Sequence, residues 1–316
     1  MFSQYLKSSL LFFLVSFIPL QVWAIGSWQE MGPTPSKRTE VAVTALDGKV
    51  YLFGGFGEKG ISNKVDIFDT ATSTWTAGFP MPEALHHTVA VTLEGKIYII
   101  GGFKSGMWTP TNTLYEFDPK ANRWTKKKSM PTERGALAAG VIHGRIYAVG
   151  GAQRHIFSLA NTAANESYDP HTDQWTSHKP IPTPRDHFTA TVWQDKLYAI
   201  GGRINVDYNQ NLGANEVYDP ITDTWSKLAA LPTPRSGVTS QLLNGKIYVF
   251  GGESGEGTFD DNEAYIPKTD KWEKRPDMPK PCHGLGSAVV GNKIHLLTGG
   301  PSPGGGGSRY HQVYSE

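Results

Sequence analysis

An all-β fold assembled from one recurring unit follows from three features of this chain. The composition favours turn formers and aromatics, with Gly 35, Pro 21, Trp 9 and Tyr 13 among 316 residues, and no long stretch has the Ala/Leu/Glu/Lys character of a helix. Paired glycines recur at Gly54-Gly55, Gly101-Gly102, Gly150-Gly151, Gly201-Gly202, Gly251-Gly252 and Gly299-Gly300, at intervals of 47, 49, 51, 50 and 48 residues. Each pair closes a variant of a single apolar strand: KVYLFGG, KIYIIGG, RIYAVGG, KLYAIGG, KIYVFGG and KIHLLTGG.

The elements of the unit can be justified in order. Asp47-Gly48, Glu94-Gly95, His143-Gly144, Asn244-Gly245 and Gly291-Asn292 stand just before the doublet strand. Such dipeptides accept φ > 0 and mark two-residue hairpin turns, so a first strand precedes each and runs antiparallel to the second. A variable loop follows the glycines, then a short third strand ending in Phe68, Phe117, Tyr168, Tyr218, Tyr265 or Tyr314. Asp118-Pro119, Asp169-Pro170 and Asp219-Pro220 turn the chain, proline fixing φ at the second turn position. A fourth strand then carries Trp75, Trp124, Trp175, Trp225 or Trp272, expected to be largely buried between units.

The first doublet also lies within Gly55-x-Gly57-x-x-Gly60, the spacing that seats a dinucleotide pyrophosphate. That chemistry needs a helix after the last glycine. The segment that follows, ISNKVDIFDTATSTW, is β-branched and lacks a 3.6-residue apolar period, so the glycines read as a place where backbone passes close to backbone.

A Gly-Gly doublet, a Tyr and a Trp at these offsets over about 50 residues resemble the kelch repeat, and the resemblance covers nearly all of residues 28–316. It implies a β-propeller of four-stranded blades around a central channel. One twisted four-stranded sheet cannot bury both faces, so blades must stack on one another. The last copy stops after its third strand at Tyr314-Ser315-Glu316, and residues 27–33, SWQEMGP, supply the missing tryptophan as Trp28. The expected fold is therefore a six-bladed kelch β-propeller over residues 25–316, its closing blade completed by the N-terminal strand.

Residues 1–24 read as a signal peptide, with Lys7 as the basic flank, an apolar run from Leu10 to Val22 and a small-x-small site at Val22-Trp23-Ala24. The apolar run is shorter than the ~20 residues of a spanning helix, so no stable membrane anchor is expected. The reading is a secreted or periplasmic protein. Cys282 is the only cysteine, so ring closure takes the place of disulfides. The net charge of +1 gives no general field for nucleic acid.

Ligands of propellers meet the channel mouth, reached by the connection into each blade. Sixteen residues before each doublet stand Arg38, Leu85, Arg134, Arg185, Arg235 and His283, and the next two positions add His86, His87, Asp186 and His187. Two readings stay open for the arginines. They converge on an anion, as guanidiniums at this motif position do in BTB-kelch adaptors that bind acidic peptides, or they bond carbonyls of an adjacent blade. His86, His87, His187 and His283 lack close metal-ligand spacing, and the ring is expected to hold them too far apart, so neither metal nor other cofactor is expected. Trp108 and Trp193 are extra to the repeat.

The leading functional expectation is a binding scaffold for a protein or an acidic small molecule or sugar. The alternative is an enzyme resembling the periplasmic kelch mutarotases of sialic acid, with Asp186 and His187 as an acid/base pair beside Arg185. The chain lacks the long inter-strand insertion associated with that class.

Overall fold

The computed structural model describes residues 26–104 and 109–316. The expected signal segment and Trp108 lie outside the described residues. Among those described there is no helix, and six four-stranded antiparallel sheets form the blades. Blade one runs Ala42–Leu46, Lys49–Phe53, Val65–Asp69 and Thr74–Ala77 from the channel outward. The next four blades repeat this order, each from one continuous stretch of chain. The sixth joins Gly286–Val290, Lys293–Leu297 and His311–Ser315 to Ser27–Glu30 from the N-terminal side, with Trp28 opposite Tyr314. Without that strand the outer edge, His311–Ser315, would be open to a foreign strand.

The turn chemistry explains the hairpins. Leu46 pairs with Lys49 across Asp47 and Gly48, whose φ values of 51° and 74° suit the twist of the two strands. At the doublet, a Cβ built on Gly54 would meet the Leu85 carbonyl oxygen at 2.4 Å, and one on Gly55 the Thr39 carbonyl oxygen at 2.4 Å. The second glycine uses that closeness: its N–H donates to the following blade's entry connection, as Gly102 N does to Arg134 O at 2.9 Å and Gly202 N to Arg235 O at 3.0 Å.

The last repeat corrects the sequence alignment. Thr298, at φ 60°, makes the bond of a first glycine, and Gly299 N donates to Arg38 O as a second glycine does. The true doublet of blade six is Thr298-Gly299. Cys282, whose carbonyl accepts from Gly252 N, is therefore the counterpart of the arginines, and His283 belongs one place further on.

Packing between blades rests on the third-strand aromatics, all buried, and on an outer clasp. Tyr168 donates to Asp173 at 2.7 Å, Asp173 accepts the Lys128 N–H of the preceding blade at 2.9 Å, and Trp175 Nε1 donates to the Lys128 carbonyl at 2.8 Å. One residue of the neighbour is thus gripped at both polar ends. Tyr218, Asp223 and Trp225 hold Lys179 in the same way, and Tyr265, Asp270 and Trp272 hold Ala229. The repeat tryptophans are half-buried rather than largely buried. For Trp124, Trp175, Trp225 and Trp272 the indole edge must stay at the rim to reach a carbonyl of the preceding blade.

The seam between blades six and one differs. His295 Nδ1 lies 3.0 Å from His311 Nε2, and the His311 ring meets Phe68 of blade one edge-on at 4.6 Å. Burial holds His295 down to about 4, with Lys293 adding to the effect. Burial and then His295 hold His311 down to about 3, against a smaller opposing pull from the Gly32 backbone. The folded chain keeps both rings neutral, while the unfolded chain takes up protons below its ordinary histidine value near 6.5. Stability should fall as pH drops from about 6.5 toward 4, by roughly 1.4 kcal/mol per pH unit for each ring. Urea midpoints between pH 7 and 4.5 check this: a His295→Gln/His311→Gln variant should show a shallower slope, and an unchanged slope would assign the acid response to other groups.

Candidate functional site

Four of the predicted ligand residues are not at the mouth. Arg38, Arg134, Arg185 and Arg235 are among the most deeply buried side chains, each at most 1% exposed. Arg38 pairs with Asp66, Arg134 with Glu166 at 2.9 Å, Arg185 with Glu216 at 2.5 Å and Arg235 with Glu263. Further donors of these arginines go to second-strand or loop carbonyls, such as Ala199 O at 2.8 Å from Arg185 and Gly251 O at 2.7 Å from Arg235. The carboxylates stand two residues before the third-strand aromatic. Where the arginine position holds Leu85 or Cys282, that acidic position holds Tyr115 or Gln312. Acid and guanidinium are present or absent together, so each arginine pins the connection entering a blade onto that blade's third strand. The convergent anion-binding ring is thereby corrected to four separate internal ion pairs.

Beside this buried tier, the next two positions and the residue following each doublet meet at the channel mouth. The second of these positions holds Glu40, His87, Ala136, His187, Gly237 and Gly284, all at positive φ between 50° and 69°. Their amides close a circle: Glu40 N donates to Gly284 O, His87 N to Glu40 O, Ala136 N to His87 O, His187 N to Ala136 O, Gly237 N to His187 O and Gly284 N to Gly237 O, at 2.7 to 3.1 Å. One backbone ring therefore passes through all six blades and fixes the collar on which the side chains stand.

On that collar His283 Nδ1 lies 3.1 Å from Glu40 Oε1 and 3.4 Å from Glu253 Oε2, and His87 Nε2 lies 3.1 Å from Glu40 Oε2. Arg203 donates to Glu253 at 2.6 Å, to His187 Nε2 at 2.8 Å and to Asp186 at 3.3 Å. His187 Nδ1 faces Asp186 at 2.5 Å, so this imidazole donates at Nδ1 and accepts at Nε2, the neutral tautomer. His86 lies against Phe56 at 4.0 Å and its Nδ1 is 2.6 Å from that of His87. The imidazoles do converge, with the rings of His87 and His187 4.6 Å apart. The expectation that the ring would hold them apart fails because the collar is narrow.

The environment sets opposite ionisation preferences. Burial, followed by neighbouring His187 and other basic groups, holds His87 well below the ordinary imidazole value. Burial and Arg203 do the same to His187. For His283 burial also works downward, but Glu40 and then Glu253 outweigh it and the ring is raised. Asp186 is pushed upward by burial, against Arg203, the Val206 amide and Asn161. Asp186 and His187, expected as an acid/base pair beside Arg185, are at most 5% exposed, and their polar atoms are engaged by Arg203, Asn161, Val206 and each other. They position Arg203 and do not face the cavity.

The cavity itself has a volume of about 630 Å³ and is walled by Glu40, His87, Arg203, Glu253 and His283, with Phe56 and Tyr208 among its apolar surfaces. Beyond the collar, the channel between the innermost strands is lined mostly by Ala, Val, Thr and Ser. Sequence reasoning missed Glu40, Arg203, Glu253 and Tyr208. A signal existed for two of them: Arg203 and Glu253 directly follow a doublet, where blades one to three carry Phe56, Phe103 and Ala152.

If the buried arginines are fasteners, Arg185→Ala leaves Glu216 as an uncompensated buried charge and should cost about 3–5 kcal/mol in urea unfolding. Arg185→Met with Glu216→Gln should cost less, because the charges leave together. A loss below ~1 kcal/mol for the single substitution would contradict the fastening role.

Three comparisons with known proteins agree on the architecture. The Attractin/LZTR1 beta-propeller family model matches residues 14–260. Kelch-like protein terF of Aspergillus terreus is 31% identical over 183 residues, which cover 56% of this chain and 30% of that protein, so the chain spans less than a third of that relative. The solved structure of YjhT superposes with a TM-score of 0.77 at 19% identity, over 89% of this chain and 95% of that one, a likeness of fold.

Proposed function

The chain belongs to the kelch-repeat β-propellers of the Attractin/LZTR1 family, and from that premise we propose that it is an exported binding propeller that holds a small, hydroxyl-rich ligand of sugar size at the channel mouth. The observation that carries this reading is the cavity wall, where Glu40, Glu253, Arg203 and His283 stand beside Phe56 and Tyr208. Carboxylates accept hydroxyl protons and a guanidinium donates to ring or hydroxyl oxygens, while aromatic faces pack on the C–H side of a sugar. The collar supplies rigidity, so little ordering free energy is lost on binding. An acidic sugar would place its carboxylate on Arg203 or the exposed Lys37, and no longer depends on the buried arginines.

Calorimetry with neutral aldoses, uronic acids and sialic acid tests the proposal. Tyr208→Ala should weaken the sugar that binds by about tenfold, roughly 1.4 kcal/mol, with an unchanged melting temperature. Absence of binding across the panel, or binding indifferent to Tyr208, would sink it.

A second reading is mutarotation of such a sugar, favoured by Glu40 and His283 facing each other on the wall. A carboxylate can take the anomeric hydroxyl proton and a protonated imidazole can give one to the ring oxygen, opening the hemiacetal; the reverse transfer closes it on either face. NMR exchange between anomers at the uncatalysed rate would leave the binding reading alone.

Export rests on the basic flank, apolar run and small-x-small site of residues 1–24. Expressed in a bacterium with a periplasm, the full chain should be recovered outside the cytoplasm with an N-terminus near Ile25. Only unprocessed cytoplasmic protein would overturn this.

A further inference from the structure

We propose that Glu40, Glu253 and His283 form a binding site for a divalent transition-metal ion, Zn²⁺ in first preference, open to the mouth cavity. Glu40, Glu253 and His283 each offer one ligand atom, and these atoms lie within 4.8 Å of one another. His283 Nδ1 is 3.1 Å and 3.4 Å from the two carboxylate oxygens. Ligand atoms about 2.1 Å from a tetrahedral ion are about 3.4 Å apart, close to both of these separations.

The ring of His283 is 2% exposed, and its Nδ1 is aimed between the two carboxylates. A metal ion taken up there would replace the Nδ1 proton and bind all three groups at once.

The surroundings of each ligand are those a metal site requires. The outer oxygen of Glu40 is held by His87 Nε2 at 3.1 Å. The other oxygen of Glu253 takes Arg203 at 2.6 Å, and Oε2 is steered by the Gly304 N–H at 2.7 Å. His283 Nε2 packs on Gly300 beside the Gly305 carbonyl. Such outer contacts fix the orientation of ligating groups.

Two carboxylates and one imidazole suit Zn²⁺ ahead of Ca²⁺ or Mg²⁺, whose sites are built from oxygen alone. Three protein ligands leave the fourth position directed into the cavity, where a water or a ligand oxygen completes the tetrahedron.

The ion site shares Glu40, Glu253 and His283 with the wall of the sugar reading but does not require a sugar to bind. Chelator-treated full-length protein is titrated with Zn²⁺ alone by calorimetry, and with Co²⁺ alone by visible absorption. One saturable site per chain with a dissociation constant of about 1 µM or less is expected, with the intense Co²⁺ bands of a tetrahedral N/O site. Glu253→Gln and His283→Ala, each checked for its melt in metal-free buffer, should weaken binding at least about tenfold. His171→Ala, which removes an exposed imidazole 3.3 Å from Glu94, should not. No saturable Zn²⁺ binding by the parent protein, or a site undiminished in a folded Glu253→Gln or His283→Ala variant, overturns the proposal. Sugar binding by the chelator-treated protein in that event would leave the preceding reading in place, and a metal site without sugar binding would do the reverse.

Discussion

The collar of six backbone hydrogen bonds, from Glu40 round to Gly284, is the constraint on which the rest of the molecule depends. A ring of this kind closes only if every blade delivers one N–H and one C=O tangentially at the same height. That orientation demands positive φ, and four of the six positions meet it with Glu40, His87, Ala136 and His187 instead of glycine. A non-glycine residue there costs on the order of 1 kcal/mol. The cost is borne where side chains are useful: Glu40, His87 and His187 all belong to the polar cluster. The same local conformation thus closes the circle and presents the chemistry.

Outside the collar, the blades are held by polar contacts of two depths. Near the axis, buried guanidinium–carboxylate pairs tie each entry connection to its own blade, and the glycine amides tie it to the blade before. At the perimeter, Tyr, Asp and Trp grip a single backbone unit of the neighbour. Apolar packing between sheets is generous but non-directional, and these contacts fix how far each blade is rotated against the next. A circle of six repeats tolerates little error in that rotation, since it accumulates round the ring.

The repeat, the hairpins and the closing strand were legible in the sequence because each depends on local chemistry: paired glycines, two-residue turns and an aromatic at a fixed offset. The half-burial of Trp175 and its counterparts was not, because it depends on a carbonyl supplied by another blade. The arginines were misread for a related reason. Counting from the doublet located them correctly in four repeats, but only the third strand reveals their partners, and the acid two residues before each tyrosine or phenylalanine was available to be matched with them. His283 was set against the wrong counterpart because KIHLLTGG displaces the doublet by one residue, Thr298 standing where glycine was assumed. Glu40 carried no signal of its own. Its role arises from closure, which brings residues some 250 positions apart into contact.

The mouth cavity draws its walls unequally from the blades. Lys37, Glu40, Phe56 and Glu58 come from blade one, Arg203 and Tyr208 from blade four, Glu253 from blade five and His283 from blade six, while blade two contributes His87 and blade three nothing. At the corresponding places blades two and three present Phe103, Gly135, Ala136 and Ala152. The pseudo-sixfold axis of the backbone is therefore absent from the chemistry at its own end. Any guest that entered this cavity would meet its polar groups off the axis, so the six equivalent sheets enclose a lopsided cup.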